Sequence, residues 1–172
     1  MSQLKVNSII PTGGVPTGGG GGVTQIKSTV KLDAFSSTST SYTDVTGLNV
    51  SITPTSSSNK VLIICQISGN GTGATQGYFA LARDSDNTIF LGNQTGSRVR
   101  ATLNMYNNQN NECKNGTLVF LDSPSTTSSV TYKIQCRTQG QGTVNINRSE
   151  LFQNNANSGT LTSSITAMEV SG

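Results

Sequence analysis

The sequence predicts an all-β protein, an antiparallel sandwich of nine or ten strands. Three observations carry that prediction. Alternating apolar and polar residues recur along most of the chain, the period-two signature of half-buried strands. Between these stretches lie clusters of Gly, Pro, Asn, Asp and Ser that favour turns. The composition also lacks helix material. Of 172 residues, 23 are Ser, 24 Thr and 17 Asn, and Asp, Glu, Lys and Arg together make only 11%, against about 25% in an ordinary soluble domain. Only Glu112 among the glutamates precedes residue 150, so a long surface helix has little to be built from.

The elements follow in order. Val23–Leu32 is the first candidate strand. In the second, Leu48, Val50 and Ile52 alternate with Asn49, Ser51 and Thr53 before Pro54 and the turn PTSSSN. KVLIICQIS (60–68) places Val61, Ile63, Cys65 and Ile67 on one face and Leu62 and Ile64 on the other, which predicts a central strand covered on both sides near its start. Gly77–Arg83 and Thr88–Leu91 flank Asp84-Ser85-Asp86-Asn87, a hairpin turn by composition. Val99, Ala101, Leu103 and Met105 alternate with polar residues, and Asn115–Leu121 leads into the turn DSPSTTS. VTYKIQCR (130–137) turns Val130, Tyr132, Ile134 and Cys136 inward; Thr143–Arg148 and Leu161–Val170 complete the set. Residues 106–113 and 149–160 read as longer polar connections.

Three parts divide the chain. Residues 1–10 carry a short apolar segment, SQLKVNSII, with Leu4, Val6, Ile9 and Ile10. Residues 11–22, PTGGVPTGGGGG, form a Gly/Pro-rich linker that has nothing to pack a core with. Residues 23–172 make one domain of about 150 residues, long enough to bury its own core. A short apolar segment ahead of a flexible spacer is expected to gain its order from a partner, for instance as an added strand.

Several function classes lose their support. The longest apolar run, Val61–Cys65, is far short of the roughly twenty residues that span a membrane. Met1–Ile10 shows no secretory pattern, so the protein is expected to act or assemble where it is made. Arg98, Arg100 and Lys114 form at most a local basic patch, and no charged groove with stacking rings for nucleic acid is evident. With no His, the commonest general base is missing. Asp33, Asp44, Asp84, Asp86, Asp122, Glu112, Glu150 and Glu169 offer no facing carboxylate pair that spacing alone identifies. We therefore expect no enzyme.

The remaining motifs are explained by composition. The glycine run lacks the GK[ST] of a phosphate loop. Asp84 and Asp86 lack the later Gly and Glu of a calcium loop. Asn49, Asn70, Asn93, Asn115 and Asn147 head glycosylation-like triplets, as many as chance gives in a chain this rich in Asn, Ser and Thr. Cys65, Cys113 and Cys136 have no metal-ligand spacing, and Cys65 and Cys136 fall in apolar runs where a thiol behaves as a buried hydrophobe. A disulfide from Cys113 to either of them stays open. Neither cofactor nor metal is expected. The low charge leaves sheet edges without their usual protection, which favours burial of edges between subunits.

On these residues the chain resembles a small fiber or appendage protein of tailed bacteriophages, especially those of marine cyanobacteria. The start, SQLKVNSIIPTGG, is similar to a segment that heads virion appendage proteins there, with Leu4, Lys5, Val6, Asn7, Ile9 and Ile10 carrying the likeness. TGLNVSITPTSSSNKVLI (46–63), YFALARDSDNTIFLG (78–92) and SSITAMEVSG (163–172) resemble the jelly-roll knobs of phage fibers, which are similar to C1q and tumour-necrosis-factor heads. The resemblance implies a homotrimeric jelly-roll knob, attached to other virion proteins through the N-terminal segment and facing host-surface glycans. It implies location in the virion after assembly in the host cytoplasm. The sequence shows no long shaft, so a capsid decoration or head fiber fits as well as a short tail fiber. A carbohydrate-binding module without a virion role is the alternative from another class, and a polysaccharide-cleaving appendage the third.

Overall fold

The computed structural model describes residues 22–172 apart from 73, 74, 86, 107–111, 152 and 157. The expected attachment residues Leu4, Lys5, Val6, Asn7, Ile9 and Ile10, and all of the linker but Gly22, lie outside the described residues.

The described residues form eleven strands and no helix. They are β1 (Val23–Lys31), β2 (Phe35–Ser37), β3 (Thr43–Ile52), β4 (Lys60–Gly71), β5 (Gln76–Arg83), β6 (Asn87–Phe90), β7 (Leu103–Tyr106), β8 (Lys114–Asp122), β9 (Val130–Thr138), β10 (Val144–Ile146) and β11 (Ser163–Val170). The first sheet runs β1-β11-β4-β8, with β10 taking over from β11 along the far part of β4 and β2 continuing outward from β10. The second runs β3-β9-β5, and β6 and β7 share the remaining edge of β5. Every pairing is antiparallel, and the chain crosses between sheets from β2 to β3, β3 to β4, β4 to β5, β7 to β8, β8 to β9 and β9 to β10. This is the antiparallel jelly-roll sandwich that the sequence predicts.

Alternation does what the sequence expects. Val61, Ile63, Cys65 and Ile67 of β4 face Val130, Tyr132, Ile134 and Cys136 of β9 across one core, and all are buried. Phe120 of β8 stacks on Phe90 of β6 at 4.6 Å between ring centroids, closing the core at the other edge. Polar ties join the sheets at the end where Gly22 and Ser171 exchange hydrogen bonds. There the Asp122 carboxylate on the first sheet accepts from Arg83 and from the Tyr132 hydroxyl on the second, both at 2.7 Å.

The differences from expectation are local. β3 begins five residues before Leu48, because the extra residues 45–48 are accommodated as a bulge between Asp44, opposite Gln135, and Asn49, opposite Lys133. Val45 and Leu48 both point into the core, a spacing of three that no uninterrupted strand produces. Gly47 turns the bulge at φ +80°, where a side chain is strained. β2 was not expected: FSS is too short for a period. Of the alternating stretch 99–105 only Leu103–Met105 lies in a strand, and segment 91–102 instead runs alongside the second sheet, tied by Thr102 to the Phe79 carbonyl. Leu62 and Ile64 do face away from the core, yet nothing in the described chain covers them fully.

Candidate functional site

The outward face of the first sheet stands out, because among the described residues no segment covers its apolar part. Register places Ile26, Met168, Leu62 and Leu121 side by side across β1, β11, β4 and β8. The next outward row is Ser28, Thr166, Ile64 and Val119, and Val30 follows on β1. Ile26, Val30, Val119 and Leu121 are exposed by 57, 58, 56 and 48%. Neither row contains a charged residue, and the Ser28 and Thr166 hydroxyls satisfy each other at 2.9 Å. Monomeric proteins rarely leave contiguous apolar patches beyond a few hundred Å² open to water, and such patches mark interaction surfaces.

Further along the same face the chemistry changes. Outward positions become Ser68, Asn70, Asn145, Ser36 and Asn115, joined by side-chain hydrogen bonds. Asn70 also donates to the Glu112 and Arg148 carbonyls, so the segments carrying those residues close over this half of the sheet. Asn147 donates to the Lys31 and Asp33 carbonyls and accepts from Ser163. Ser68, Asn70 and Asn145 are thus buried by the protein itself while Ser36 and Asn115 stay exposed, and among the described residues nothing closes over the apolar half.

The outward face of the second sheet is polar. Lys133 reaches the Asp44 carboxylate at 2.8 Å, and Gln135 donates to its other oxygen at 2.8 Å. Partial burial works to raise the Asp44 carboxyl, but these two donors outweigh it and hold the group below its ordinary value. Arg137 lies over the Tyr42 ring, and Tyr42 donates to the Arg100 carbonyl. The two faces of the sandwich therefore differ in chemistry, one carrying uncharged apolar rows and the other polar and charged side chains.

The remaining sequence candidates fall into structural roles. Cys65, Cys113 and Cys136 are all free thiols; burial pushes Cys65 and Cys136 up to about 12 and Cys113 to about 11, which keeps them protonated and unreactive. Arg98 and Arg100 fold back onto carbonyls of their own loop, while Lys114 pairs with Glu112 at 2.7 Å on the first sheet. Among the described residues no group of three or more His, Cys, Asp or Glu side chains is placed to hold a metal ion. Asp33 pairs with Lys31, Asp122 with Arg83, and Glu169 is enclosed by amide and hydroxyl donors. Asp44 and Asp84 border a common cleft, which spacing along the sequence did not single out. Asn70 and Asn147 are buried, so two of the five glycosylation-like triplets are core hydrogen-bonding positions. No protein-family model matches this chain, and a search of curated proteins finds no match to it.

Proposed function

We propose that this chain is a structural component of a bacteriophage virion: a short tail fiber or appendage whose knob assembles as a homotrimer and whose N-terminal segment fixes it to the particle. The open apolar face of the first sheet carries the reading. An uncharged face of this kind offers nothing to an acidic or basic partner, whereas a second copy of the chain brings the same chemistry and buries the same residues. The resemblance to fiber knobs supplies the number three. Self-association also shelters the β1 and β8 edges, which a surface so poor in charge leaves unguarded.

Attachment follows from the arrangement at the chain's start. Gly22, the last residue of the glycine-rich spacer, lies beside Ser171 at one end of the sandwich. Three weak N-terminal contacts held on one body gain strength through effective concentration, and the spacer absorbs any mismatch between the knob's symmetry and that of its host site.

Particle assembly tests the reading. Removal of residues 2–10 is expected to leave a folded oligomer that no longer enters particles; normal incorporation would overturn it. Immuno-gold labelling of the same particles decides between a tail appendage and a head-mounted decoration.

A further inference from the structure

We propose that the cleft on the outward face of the second sheet is a binding site for neutral saccharides. It deepens the reading above, since it names the ligand class for the face that self-association leaves exposed.

The cleft has a volume of about 500 Å³ and is assembled from three separate stretches of sequence. Thr46 and Asn49 come from the β3 bulge and its exit, Thr131 and Lys133 from β9, and Asp84 from the turn after β5. Asp44, at the start of the bulge, completes the rim. These side chains point away from the core because their neighbours Val130, Tyr132 and Ile134 point into it. The bulge is what opens the space: a regular β3 would run straight from Asp44 to Asn49 beside β9 and leave no wall. Asp84, at φ 54°, is held by a pair of hydrogen bonds with the Thr131 backbone, donating its N–H to the Thr131 carbonyl and accepting the Thr131 N–H at 2.9 Å.

The chemistry of the lining selects the ligand. Two carboxylates against one ammonium disfavour an anion. A cation finds the Asp44 charge already paired with Lys133, whereas a carboxylate oxygen that accepts one hydrogen bond can accept a second from a hydroxyl. Val45, the one apolar side chain in the lining, is 1% exposed. What remains is a set of groups suited to hydroxyls: carboxylate acceptors, an ammonium donor, and an amide able to do both. The Asn49 amide and the Thr46 hydroxyl have no side-chain hydrogen-bond partner among the described residues, so each is available to a ligand. Several knobs presented together would turn weak contacts of this sort into avid ones.

The test uses the purified full-length protein on an array of neutral hexose- and N-acetylhexosamine-terminated oligosaccharides alongside sialylated and sulfated ones. Retention on neutral glycans is expected, with at least a tenfold loss in Asn49→Ala and in Asp44→Asn. Thermal unfolding of Asn49→Ala should match the parent, because that amide holds nothing in place. Absence of binding to every glycan, preference for the acidic ones, or binding unchanged in both variants would each overturn the proposal. A chain lacking residues 2–10 separates this inference from the virion reading: it should keep its glycan binding while losing incorporation into particles.

Discussion

Glu169 shows how much a single residue can organise in a chain with few charges. Its side chain is buried at the end of β11, where the strand faces the core, and a buried carboxylate survives only if it is paired or hydrogen-bonded. Gln25 and Asn59 donate amide hydrogens at 2.6 Å, and Thr55 donates both its backbone N–H at 2.6 Å and its hydroxyl at 2.8 Å. One carboxylate thus ties β1, β11 and the β3–β4 loop together. Burial alone would raise its pKa, but the four donors prevail and hold it down at about 2. Because the folded value lies below the unfolded one, the stabilisation is fully present above about pH 4.5 and is lost as pH falls through about 2. Glu169→Gln turns one acceptor oxygen into a donor facing donors, and should cost about 1–3 kcal/mol at pH 7. Urea midpoints measured from pH 7 down to 2 should show parent and variant converging in acid; a gap that stays constant would mean that an ionised carboxylate is not what holds the loop.

At the scale of elements, the close approach of β4 and β5 is set by glycine. A Cβ at Gly71 would collide with the Thr75 carbonyl and the Gly77 nitrogen, backbone atoms that cannot withdraw without opening the turn between the two strands. Gly71→Ala should destabilise the fold by about 1–3 kcal/mol, the usual range for overpacking. Gly140→Ala, where a Cβ meets nothing within 4 Å, should change stability by less than about 0.5 kcal/mol; equal melting temperatures for the two variants would refute the steric account. The strands themselves were legible because one face of each is buried, which writes a period of two into residues such as Val61, Ile63, Cys65 and Ile67. What escaped was structure without a period. Phe35–Ser37 is too short to show one, and in the β3 bulge Val45 and Leu48 both point inward at a spacing of three. Segment 91–102 alternates in part without pairing as a strand before Leu103. The cleft escaped for a different reason: Asp44, Asp84 and Lys133 meet only through the order of β3, β9 and β5 in the sheet. Leu62 and Ile64 were correctly placed on the second face of β4, but alternation records only which way a side chain points, and whether that face is covered depends on the whole assembly.

For the whole molecule, the two faces of the sandwich define an orientation. If the first sheet is where copies meet, its open rows lie inside the oligomer, and the Asp44 cleft on the opposite sheet looks outward. The covering of one half of the first sheet sharpens this. Asn70 and Asn145 are buried under the protein's own segments, so the proposed association would bury chiefly the half bearing Ile26, Met168, Leu62 and Leu121. Val119→Lys and Leu121→Glu each place a charge on that half without touching the core, since both side chains point outward from the β8 edge. Burial of one such side chain is worth about 1.5–3 kcal/mol, and a charge in its place adds a desolvation cost. Either substitution should move the protein from oligomer to monomer in sedimentation velocity at micromolar concentration. The melting temperature of the parent should rise with protein concentration, because association stabilises the folded state by mass action, and that dependence should vanish in the variants. A parent that sediments as a monomer, or variants that remain oligomeric, would show that the apolar rows are not the surface on which copies of this chain meet.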